Sequence, residues 1–299
     1  MIHCDSETLQ SANRLILLAF EEDLQDVGDI TSAATIPAAK RADVKVVARE
    51  EGVLSGGILL DRVYRALEKR QNLPEHSVST DLHLSDGEAV SHGSVIATVS
   101  GPVSLLLTGE RIALNLLIHL SGVASKTAEF VRRTAGSGAV ILDTRKTLPG
   151  YRLLQKYAVR CGGGTNHRMG LFDGMLIKDN HLAARENSSV ADAVTSARTF
   201  LTRQGLDVPV EVEVDTIEQL ADALASKPEI VLLDNMTTAE LQEAIRLRDA
   251  RSPETLLEAS GGVTLESVGC IAGTGVDRIS IGGLTHSAPA LDIGYDWSF

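Results

Sequence analysis

The stretch VPVEVEVDTIEQLADALASKPEIVLLDN, residues 208–235, places two short apolar runs on either side of a helical pattern. The runs at residues 208–215 and 229–235 are rich in Val, Ile and Leu and have the length of buried strands. Between them, residues 216–226 carry apolar side chains at helical spacing. A strand, a helix and a second strand in this order predict parallel strands joined by a crossover helix, because parallel pairing needs a long connection.

Further apolar runs extend the same alternation over residues 139–283. The six predicted strands are AVILD, GMLIKDN, VPVEVEVD, EIVLLDN, TLLEASGG and DRISIGG. The helical patterns among them are YRLLQKYAVR, SVADAVTSARTFLTRQ, TIEQLADALAS, TAELQEAIRLRDA and LESVGCIAG. Apolar strands that alternate with helices indicate a parallel sheet covered by helices on both faces, or a closed barrel. Six strands are two short of an eightfold barrel, so we predict an irregular α/β barrel of six to seven strands, with a doubly wound open sheet as the second interpretation.

The first part of the chain has a different pattern. Residues 7–24 predict a helix and residues 25–37 predict a loop. Residues 42–110 predict a small α+β domain with an antiparallel sheet, because short alternating runs are separated there by turn residues. A long helical stretch follows at residues 105–134. The predicted organisation is an N-terminal α+β sandwich domain at 1–115, a barrel domain at 116–285, and a C-terminal segment at 286–299 that packs partly on the first domain.

The composition describes a globular chain with an excess of acids. Its 299 residues are 43% hydrophobic, which is enough for a large core, and the formal net charge is −12. Such a chain is a poor match for nucleic acid or an anionic membrane, so an anionic ligand needs a local basic pocket. The three cysteines are far apart in sequence, the first residues lack a signal-peptide pattern, and no apolar run approaches a membrane span. We expect a cytoplasmic protein with no nucleic-acid partner and no membrane association.

Polar side chains or glycines mark the end of every predicted strand. In chain order they are Thr144 to Thr147, Lys178 to His181, Glu211 with Glu213 and Asp215, Asp234 with Asn235, Ser260 to Gly262, and Gly282 with Gly283. In parallel α/β folds the carboxyl ends of the strands share one mouth, where ligands bind. Any single strand must become polar where it leaves the core, but six such ends together indicate a functional site.

Positive charge is concentrated in one part of this acidic chain. Residues 143–181 contain seven lysines and arginines against three acids, a net charge of +4. Four of these cations adjoin predicted strand ends or the glycine run CGGGTNHR, namely Arg145, Lys146, Arg168 and Lys178. Arginine suits bidentate recognition of carboxylate or phosphate, so the cluster predicts a ligand with several negative charges.

Two carboxylates on successive predicted strands suit a metal ion. Mg²⁺ in proteins binds one or two carboxylates together with substrate phosphates, so Glu213 and Asp234 beside a basic site predict Mg²⁺ binding. The glycine turns after Ser260 and at Gly282 would bring backbone N–H groups close to phosphate oxygens. The chain has no GxxxxGK[ST] motif and no GxGxxG motif between a strand and a helix, so ATP and dinucleotide binding lack their usual signals.

These residues belong to long motifs that occur in a fixed order. Residues 143–181, DTRKTLPGYRLLQKYAVRCGGGTNHRMGLFDGMLIKDNH, closely resemble the central block of the quinolinate phosphoribosyltransferase family. The resemblance covers nearly the whole chain through EEDLQDVGDITS, REEGVLSGG, GERIALNLLIHLSGVAS, VEVEVDTIEQL, IVLLDN, LEASGGVTLESV and GVDRISIGGLTHSAPALDIGYDW. One departure is Tyr151, where the family pattern has Leu after Pro-Gly.

The resemblance implies an activity and an assembly. Enzymes of this family join quinolinate, a pyridine dicarboxylate, to phosphoribosyl pyrophosphate with Mg²⁺. They release nicotinate mononucleotide, pyrophosphate and CO₂, which is a step of NAD synthesis. The resemblance also implies a homodimer, or a higher assembly such as a hexamer, in which the small domain of each chain closes the barrel mouth of the other.

The resemblance further implies roles for individual residues. Those expected to hold the quinolinate carboxylates are Arg145, His167, Arg168 and Lys178. Those expected to act in catalysis are Lys146, which would lie between the two substrates, Lys178, Glu213 and Asp234, the last two also as metal ligands. Further substrate contacts are expected from Asp179 and Asn180 and, for the 5′-phosphate, from Ser260, Gly261, Gly262, Gly282, Gly283 and His286. Arg111 is expected to reach the site of the neighbouring subunit.

Two other functions fit parts of this pattern. A phosphoribosyltransferase for another base, such as nicotinate, has one carboxylate to bind and needs fewer cations than Arg145, Arg168 and Lys178 supply. A non-catalytic metabolite-binding barrel has no need of Glu213 and Asp234 beside those cations. Substrate competition separates the first alternative, and binding of phosphoribosyl pyrophosphate without turnover identifies the second.

Overall fold

The computed structural model describes residues 2–185 and 189–298. The chain forms two compact units that interleave along the sequence. The first unit comprises Met1–Ala128, Thr147–Gly163 and Gly283–Phe299, and the second comprises Glu129–Lys146 and Gly164–Gly282. The domain limits predicted from the sequence, at residues 115 and 285, stay predictions.

Helices and strands are numbered here in chain order. The helices are α1 Ser6–Leu24, α2 Ile30–Thr35, α3 Leu60–Arg70, α4 Val103–Arg133, α5 Arg152–Cys161, α6 Asp179–Ala183, α7 Val190–Gln204, α8 Ile217–Ala225, α9 Thr238–Arg251, α10 Val268–Ala272 and α11 Gly283–His286, with a 3-10 turn at Gly57–Leu59. The strands are β1 Arg41–Ala48, β2 Gly52–Val53, β3 Ser79–Leu82, β4 Ala89–Val90, β5 Val95–Pro102, β6 Val140–Leu142, β7 Met175–Ile177, β8 Val210–Val214, β9 Ile230–Asp234, β10 Leu256–Ser260, β11 Arg278–Ser280 and β12 Ile293–Trp297.

An antiparallel sheet forms the centre of the first unit, as the sequence predicts. Its strand order is β12-β1-β5-β3, and β1 pairs with both β12 and β5 through the register Val46↔Tyr295 and Val46↔Ala97. The buried Tyr64 hydroxyl of α3 lies 3.0 Å from the Tyr295 hydroxyl of β12, so the two polar groups satisfy each other inside the core. A strand near the C-terminus therefore completes a sheet that begins near residue 41.

Two helices of the first unit differ from the sequence-based expectation. The predicted loop at residues 25–37 contains α2, whose first turn is capped by Asp29 accepting the backbone N–H of Ser32 at 2.9 Å. Helix α4 is long and apolar enough, by length and composition, to cross a membrane, although the sequence pattern suggested no such run. Because 61% of its most apolar window is buried inside the protein, α4 has the character of a core helix.

The second unit contains a six-stranded sheet whose paired strands are all parallel, and it includes every strand predicted from residues 139–283. The order is β6-β11-β10-β9-β8-β7, so β7 to β11 follow one another in sequence and in space, and the first strand lies beside the last. This circular order is that of a singly wound barrel, whereas a doubly wound sheet reverses its direction part-way. Thr165 adds a short parallel bridge to Leu142 on the free side of β6, which accounts for a partial seventh strand.

Helix caps fix where the chain leaves this sheet. The side chain of Thr216 accepts the backbone N–H of Gln219 at the start of α8, and Thr237 and Glu240 form a reciprocal capping box at the start of α9. Since α8 and α9 start within four residues of the ends of β8 and β9, these caps hold the short strand-to-helix loops. Those loops surround the site described next.

Candidate active site

A pocket of about 300 Å³ lies within the second unit, at the carboxyl ends of its strands. Strands β7 to β11 contribute to it, as do the turn after β6 and the segment that follows Thr165. The lining residues are Thr144, Arg145, Lys146, His167, Arg168, Leu176, Lys178, Glu213, Leu232, Asp234, Glu258, Ser260 and Ser280. The expectation that the strand ends meet at one mouth is therefore confirmed.

The pocket follows from the two-residue period of the strands. Successive side chains of a strand point to opposite sides, so residues two apart face the same side. The pairs that face the pocket in this way are Leu176 with Lys178, Leu232 with Asp234, and Glu258 with Ser260. The outer member of each pair is polar and lies at the mouth, and the inner member forms the floor.

Arg145 and Arg168 provide positive charge on one side of the pocket. The Nη1 group of Arg168 donates to the carbonyl oxygen of Gly174 at 2.9 Å, which holds the side chain in place. Burial, followed by the nearby charge of Arg145, lowers the pKa of Arg168. Within residues 2–185 and 189–298, the Nε atoms of both arginines are buried and have no hydrogen-bond partner. Buried donors without partners are costly, so both guanidinium groups are suited to an anionic ligand.

Two lysines also line the pocket. The backbone N–H of Lys146 donates to the Thr144 hydroxyl at 3.1 Å, and this contact shapes the turn after β6. The Lys178 Nζ lies 2.5 Å from the Glu213 carboxylate across the β7–β8 pair. The lysine side chain is 46% exposed and that of Glu213 only 9%, so the cation faces the opening and the acid lies beneath it.

His167 lies between the pocket and a group of buried ionisable residues. Its Nε2 is 3.0 Å from a Glu211 oxygen and 3.4 Å from a Glu258 oxygen. The backbone N–H of Arg168 donates to its Nδ1 at 2.9 Å, which places the ring proton of the neutral form on Nε2. Burial lowers the pKa of His167, but hydrogen bonds to the two glutamates and their charges outweigh burial and raise it to about 9. A second proton on Nδ1 must displace the Arg168 contact.

The two glutamates beneath His167 differ in their electrostatic surroundings. Burial raises the pKa of Glu211 above its ordinary value, against the hydrogen bond to His167. Burial opposes ionisation of Glu258 as well, but the hydrogen bonds and charges of His167 and Arg278 lower its pKa. The Arg278 Nε donates to Glu258 at 2.7 Å. The floor of the pocket is therefore an ion-paired layer in which Glu258 is the more readily ionised acid.

Two sets of side chains offer metal ligands. Glu213 and Asp234 present carboxylates from the adjacent strands β8 and β9, and oxygen donors of this kind suit Mg²⁺. His167, Glu211 and Glu258 place three ligand atoms within 4.8 Å of one another. The second set is buried and ion-paired within itself and with Arg278, although one oxygen each of Glu211 and Glu258 has no hydrogen-bond partner among the described residues. The first set includes Asp234 at the mouth of the pocket, where a hydrated ion also has room to bind phosphate oxygens, so this set is the better match for Mg²⁺.

A tight turn after β10 lies beside Asp234. Asn235 donates its side-chain amide to Asp234 at 2.6 Å and its backbone N–H to the Ser260 carbonyl at 2.9 Å. Gly261 has φ +93°, and a Cβ there would lie 2.2 Å from the Asn235 side-chain oxygen. Only glycine fits this position, because both the backbone conformation and the space exclude a side chain. The turn therefore holds Asp234 next to the backbone of Ser260 and Gly261.

The structure brings half of the sixteen predicted site residues to the lining of the pocket. Those that line it are Arg145, Lys146, His167, Arg168, Lys178, Glu213, Asp234 and Ser260. Those in the second unit that do not line it are Asp179, Asn180, Gly261, Gly262 and Gly282. Those that belong to the first unit are Arg111, Gly283 and His286. The roles assigned to all of these residues stay predictions.

The floor of the pocket was missed by sequence reasoning. The lining residues that the sequence did not indicate are Leu176, Leu232, Glu258 and Ser280, and Thr144 was recognised only as a strand-end residue without a role. A signal for Glu258 was present, because a carboxylate in the middle of the apolar run TLLEA must be buried and must have a partner. Its partner Arg278 begins the next strand, but no spacing in the sequence reveals that the two strands are neighbours in register.

The fold and the pocket together define a class of protein, an α/β-barrel protein with a cation-lined pocket at the carboxyl ends of its strands. Two family models match the chain, the N-terminal domain of quinolinate phosphoribosyl transferase over residues 29–121 and its C-terminal domain over residues 123–296. The chain belongs to the quinolinate phosphoribosyltransferase family.

Individual relatives are similar over nearly their whole length. A nicotinate-nucleotide pyrophosphorylase [carboxylating] of Mycobacterium leprae is 45% identical over 286 residues, which cover 96% of this chain and 97% of the relative. A probable enzyme of the same name from Bacillus subtilis is 42% identical and covers 93% and 90%. The solved nicotinate-nucleotide pyrophosphorylase of Francisella tularensis has a TM-score of 0.86 at 34% identity and covers 100% of this chain and 99% of its own. The predicted barrel with an N-terminal α+β domain is thereby confirmed.

Proposed function

We propose that this chain catalyses Mg²⁺-dependent transfer of the phosphoribosyl group from phosphoribosyl pyrophosphate to quinolinate, with loss of CO₂. The products are nicotinate mononucleotide and pyrophosphate, and the step belongs to NAD synthesis. The observation that supports this proposal most directly is the composition of one pocket. Cations suited to a dicarboxylate lie there beside two carboxylates suited to a metal-bound diphosphate.

The cation side of the pocket suits the two carboxylates of quinolinate. Arg145 and Arg168 each keep a buried Nε–H available, and an arginine fork can bind a carboxylate through two parallel hydrogen bonds. Lys178 lines the same pocket and is half exposed at its opening. Two carboxylates held at fixed positions orient the pyridine ring, and with it the nitrogen that attacks ribose C1. This orientation is the main contribution that the arginines make to the rate.

The acidic side suits the ribose and the diphosphate. When bound, Mg²⁺ supplies charge neutralisation for the leaving pyrophosphate, and Glu213 and Asp234 are the residues that would hold it. The ribose gains positive character as the bond to pyrophosphate breaks, and the same carboxylates stabilise that charge. The Ser260 turn offers backbone N–H groups for the 5′-phosphate. Lys146, which lines the pocket, lies on the cationic side and can offset the charge of either substrate.

Loss of CO₂ leaves an electron pair on the ring carbon that carried the carboxylate. The cations that bound this carboxylate remain in place and stabilise the developing negative charge. A proton then replaces CO₂ on that carbon. The desolvated floor of the pocket strengthens each of these electrostatic contacts, because the field of a charge is less screened there than in water.

The proposal includes a cytoplasmic homodimer with shared sites, or a larger assembly built from it. Arg111 is exposed on the first unit, where it lines a shallow cleft with Leu107 and Ile30. The side chain of Ile30 is 67% exposed and that of Leu107 36%, so exposed apolar side chains lie beside the cation, together with Asp23 and Asp29 of the same cleft. A second copy of the chain that covers this surface would receive Arg111 into its pocket.

The deciding experiment is incubation with quinolinate, phosphoribosyl pyrophosphate and Mg²⁺, following ¹⁴CO₂ from carboxyl-labelled quinolinate and the mononucleotide by chromatography. Equal amounts of CO₂ and mononucleotide are expected. Mononucleotide from nicotinate at a higher kcat/KM than from quinolinate supports the alternative phosphoribosyltransferase. Tight binding of phosphoribosyl pyrophosphate with no product from either base supports the non-catalytic alternative.

A further inference from the structure

Asp143 is a fully buried acid at the end of β6, one residue before the turn that carries Arg145 and Lys146. It has 0% exposure. One carboxylate oxygen accepts the backbone N–H of His167 at 2.9 Å, and the other accepts the side-chain amide of Asn166 at 2.6 Å. A buried carboxylate must be compensated by such contacts, so its presence at this position calls for an explanation.

The partners of Asp143 belong to a different part of the chain. The segment at residues 165–168 follows α5 and the glycine run, and it contributes His167 and Arg168 to the pocket. Its backbone attaches to β6 through the Thr165 N–H, which donates to Ile141 at 2.8 Å, and through the Asp143 N–H, which donates to Thr165 at 3.3 Å. Beyond Thr165 the backbone pairing ends, and the Asp143 carboxylate accepts hydrogen bonds from Asn166 and His167 instead. The carboxylate therefore extends the attachment of the segment to β6 as far as the residues that line the pocket.

We propose that Asp143 is a positioning residue, which holds the 165–168 segment against the end of β6 and thereby sets the spacing between Arg145 and the His167–Arg168 pair. The inference rests on the proposed function, since that spacing matters because quinolinate carries two carboxylates at a fixed separation. Arg145 lies two residues from Asp143, and Arg168 lies one residue from His167. A shift between the two segments changes the distance between the cations directly, without unfolding either strand.

The hydrogen-bond pattern requires an acceptor on both oxygens. An amide at position 143 can accept from His167 through its oxygen, but its NH₂ group then faces the NH₂ group of Asn166. Asn166 relieves this conflict only by turning its amide over so that its oxygen faces position 143, which disturbs the other contacts of that side chain and shifts the segment. Exchanging the two side chains removes this conflict, because an acid at position 166 accepts from the amide at position 143. The pair therefore offers a reciprocal test.

The experiment compares Asp143→Asn, Asn166→Asp and the double variant Asp143→Asn/Asn166→Asp with the unmodified protein. Quinolinate KM, phosphoribosyl pyrophosphate KM, kcat and the melting temperature are measured for each. We expect Asp143→Asn to raise quinolinate KM about tenfold or more and to leave the KM for phosphoribosyl pyrophosphate within about threefold. We expect the double variant to recover most of the quinolinate affinity. A double variant no better than Asp143→Asn overturns the proposal.

A matched control separates positioning from general stability. Asp222 also accepts two hydrogen bonds, from the backbone N–H groups of Val190 at 2.7 Å and Ala191 at 3.3 Å, and it lies outside the pocket. Asp222→Asn is expected to lower the melting temperature and leave quinolinate KM unchanged. If Asp143→Asn lowers the melting temperature equally and also leaves quinolinate KM unchanged, Asp143 has only a structural role and the proposal fails.

A readout that does not need turnover keeps this inference apart from the proposed activity. Amide hydrogen exchange of a peptide spanning residues 164–170 reports directly on the attachment of the segment. Faster exchange in Asp143→Asn, reversed in the double variant, supports the positioning role even in a protein that fails to convert quinolinate. Unchanged exchange in Asp143→Asn contradicts the positioning role, whatever the activity assay gives.

Discussion

The cations of the pocket come from a segment with a net positive charge, whereas the chain as a whole is acidic. The segment 143–181 has a net charge of +4 in a chain of −12, and Arg145, Arg168 and Lys178 of that segment line one pocket. These residues could be predicted from the sequence, because a charged residue directly after an apolar run can be recognised without knowing the fold. Sequence reasoning missed Glu258 and the pairing of Glu258 with Arg278, because a contact between strands depends on register, and register is a property of the folded sheet.

Replacing Arg145 tests the recognition of a dicarboxylate. Arg145→Ala should lower kcat/KM for quinolinate by about 30- to 1,000-fold, which corresponds to about 2–4 kcal/mol for a lost buried charge contact. Steady-state kinetics at saturating phosphoribosyl pyrophosphate measures the loss. Arg246→Ala, on the exposed face of α9, is the control and should change nothing. A loss smaller than about threefold for Arg145→Ala removes this residue from the site.

Replacing Asp234 tests the metal assignment. Asp234→Asn should raise the Mg²⁺ concentration needed for half-maximal turnover by at least about tenfold, because a hard cation prefers a carboxylate to an amide. Quinolinate binding, measured by calorimetry, should stay within about twofold. Full activity of the unmodified protein in EDTA and metal-free buffer shows that no metal is needed and rules the assignment out.

The charge of His167 has a consequence for pH dependence. The pKa of His167 is about 9 in the folded chain, above the ordinary value of 6.5, so the folded state binds this proton more tightly than the unfolded state. The protonated ring therefore stabilises the fold fully below pH 6.5, and this stabilisation is lost as the pH rises through about 9. We expect an NMR titration of the His167 ring to give a midpoint above 6.5, and Glu258→Gln to shift that midpoint downward. A ring that stays neutral from pH 5 to 9 means that the Arg168 contact to Nδ1 prevails over the two glutamates.

At the level of helices and strands, the type and order of the elements were readable in the sequence. Apolar runs of strand length and helical periodicity predicted all six strands of the parallel sheet. The short bridge at Thr165 and helix α2 were missed, because a one-residue bridge and a six-residue helix have no periodicity of their own. The residues at the pocket mouth were therefore predicted better than those that hold them in place.

The turn after β10 allows a test at the same level. Gly261→Ala places a methyl group where the Asn235 oxygen lies and forces a residue with a side chain to φ +93°. We expect the KM for phosphoribosyl pyrophosphate to rise more than about tenfold, with a smaller effect on quinolinate binding, because the turn borders Asp234 and Ser260. Gly136→Ala is the control, since Gly136 also has positive φ but has nothing within 4 Å of the added carbon. Equal effects of the two variants contradict a role of the turn in the site.

The whole molecule is predicted to share its sites between two chains, with Arg111 acting on the pocket of the partner. Arg111→Ala and Arg145→Ala should each be nearly inactive. After the two variants are unfolded, mixed in equal amounts and refolded, half of the dimers are mixed, and each mixed dimer has one site with both lesions and one with neither. About a quarter of all sites should therefore be intact, and the assay should recover about a quarter of the normal activity.

The control for this experiment is the same protocol with each variant refolded alone, and native mass spectrometry verifies that mixed dimers form. Activity that stays at the level of the single variants although mixed dimers are present means that Arg111 serves its own chain. The role of Arg111 in the partner's site was predicted through the family resemblance, because an exposed cation on a helix has no distinguishing pattern in a single sequence.

The pairing of β12 with β1 has a consequence for synthesis on the ribosome. Residues 41–48 leave the exit tunnel long before residues 293–297 have been translated, and the whole second unit is made between them. Until then β1 is an edge strand with unsatisfied backbone groups, open to pairing with other nascent chains. A message truncated near its end thus yields a chain that contains every residue of the pocket and is nonetheless prone to aggregate.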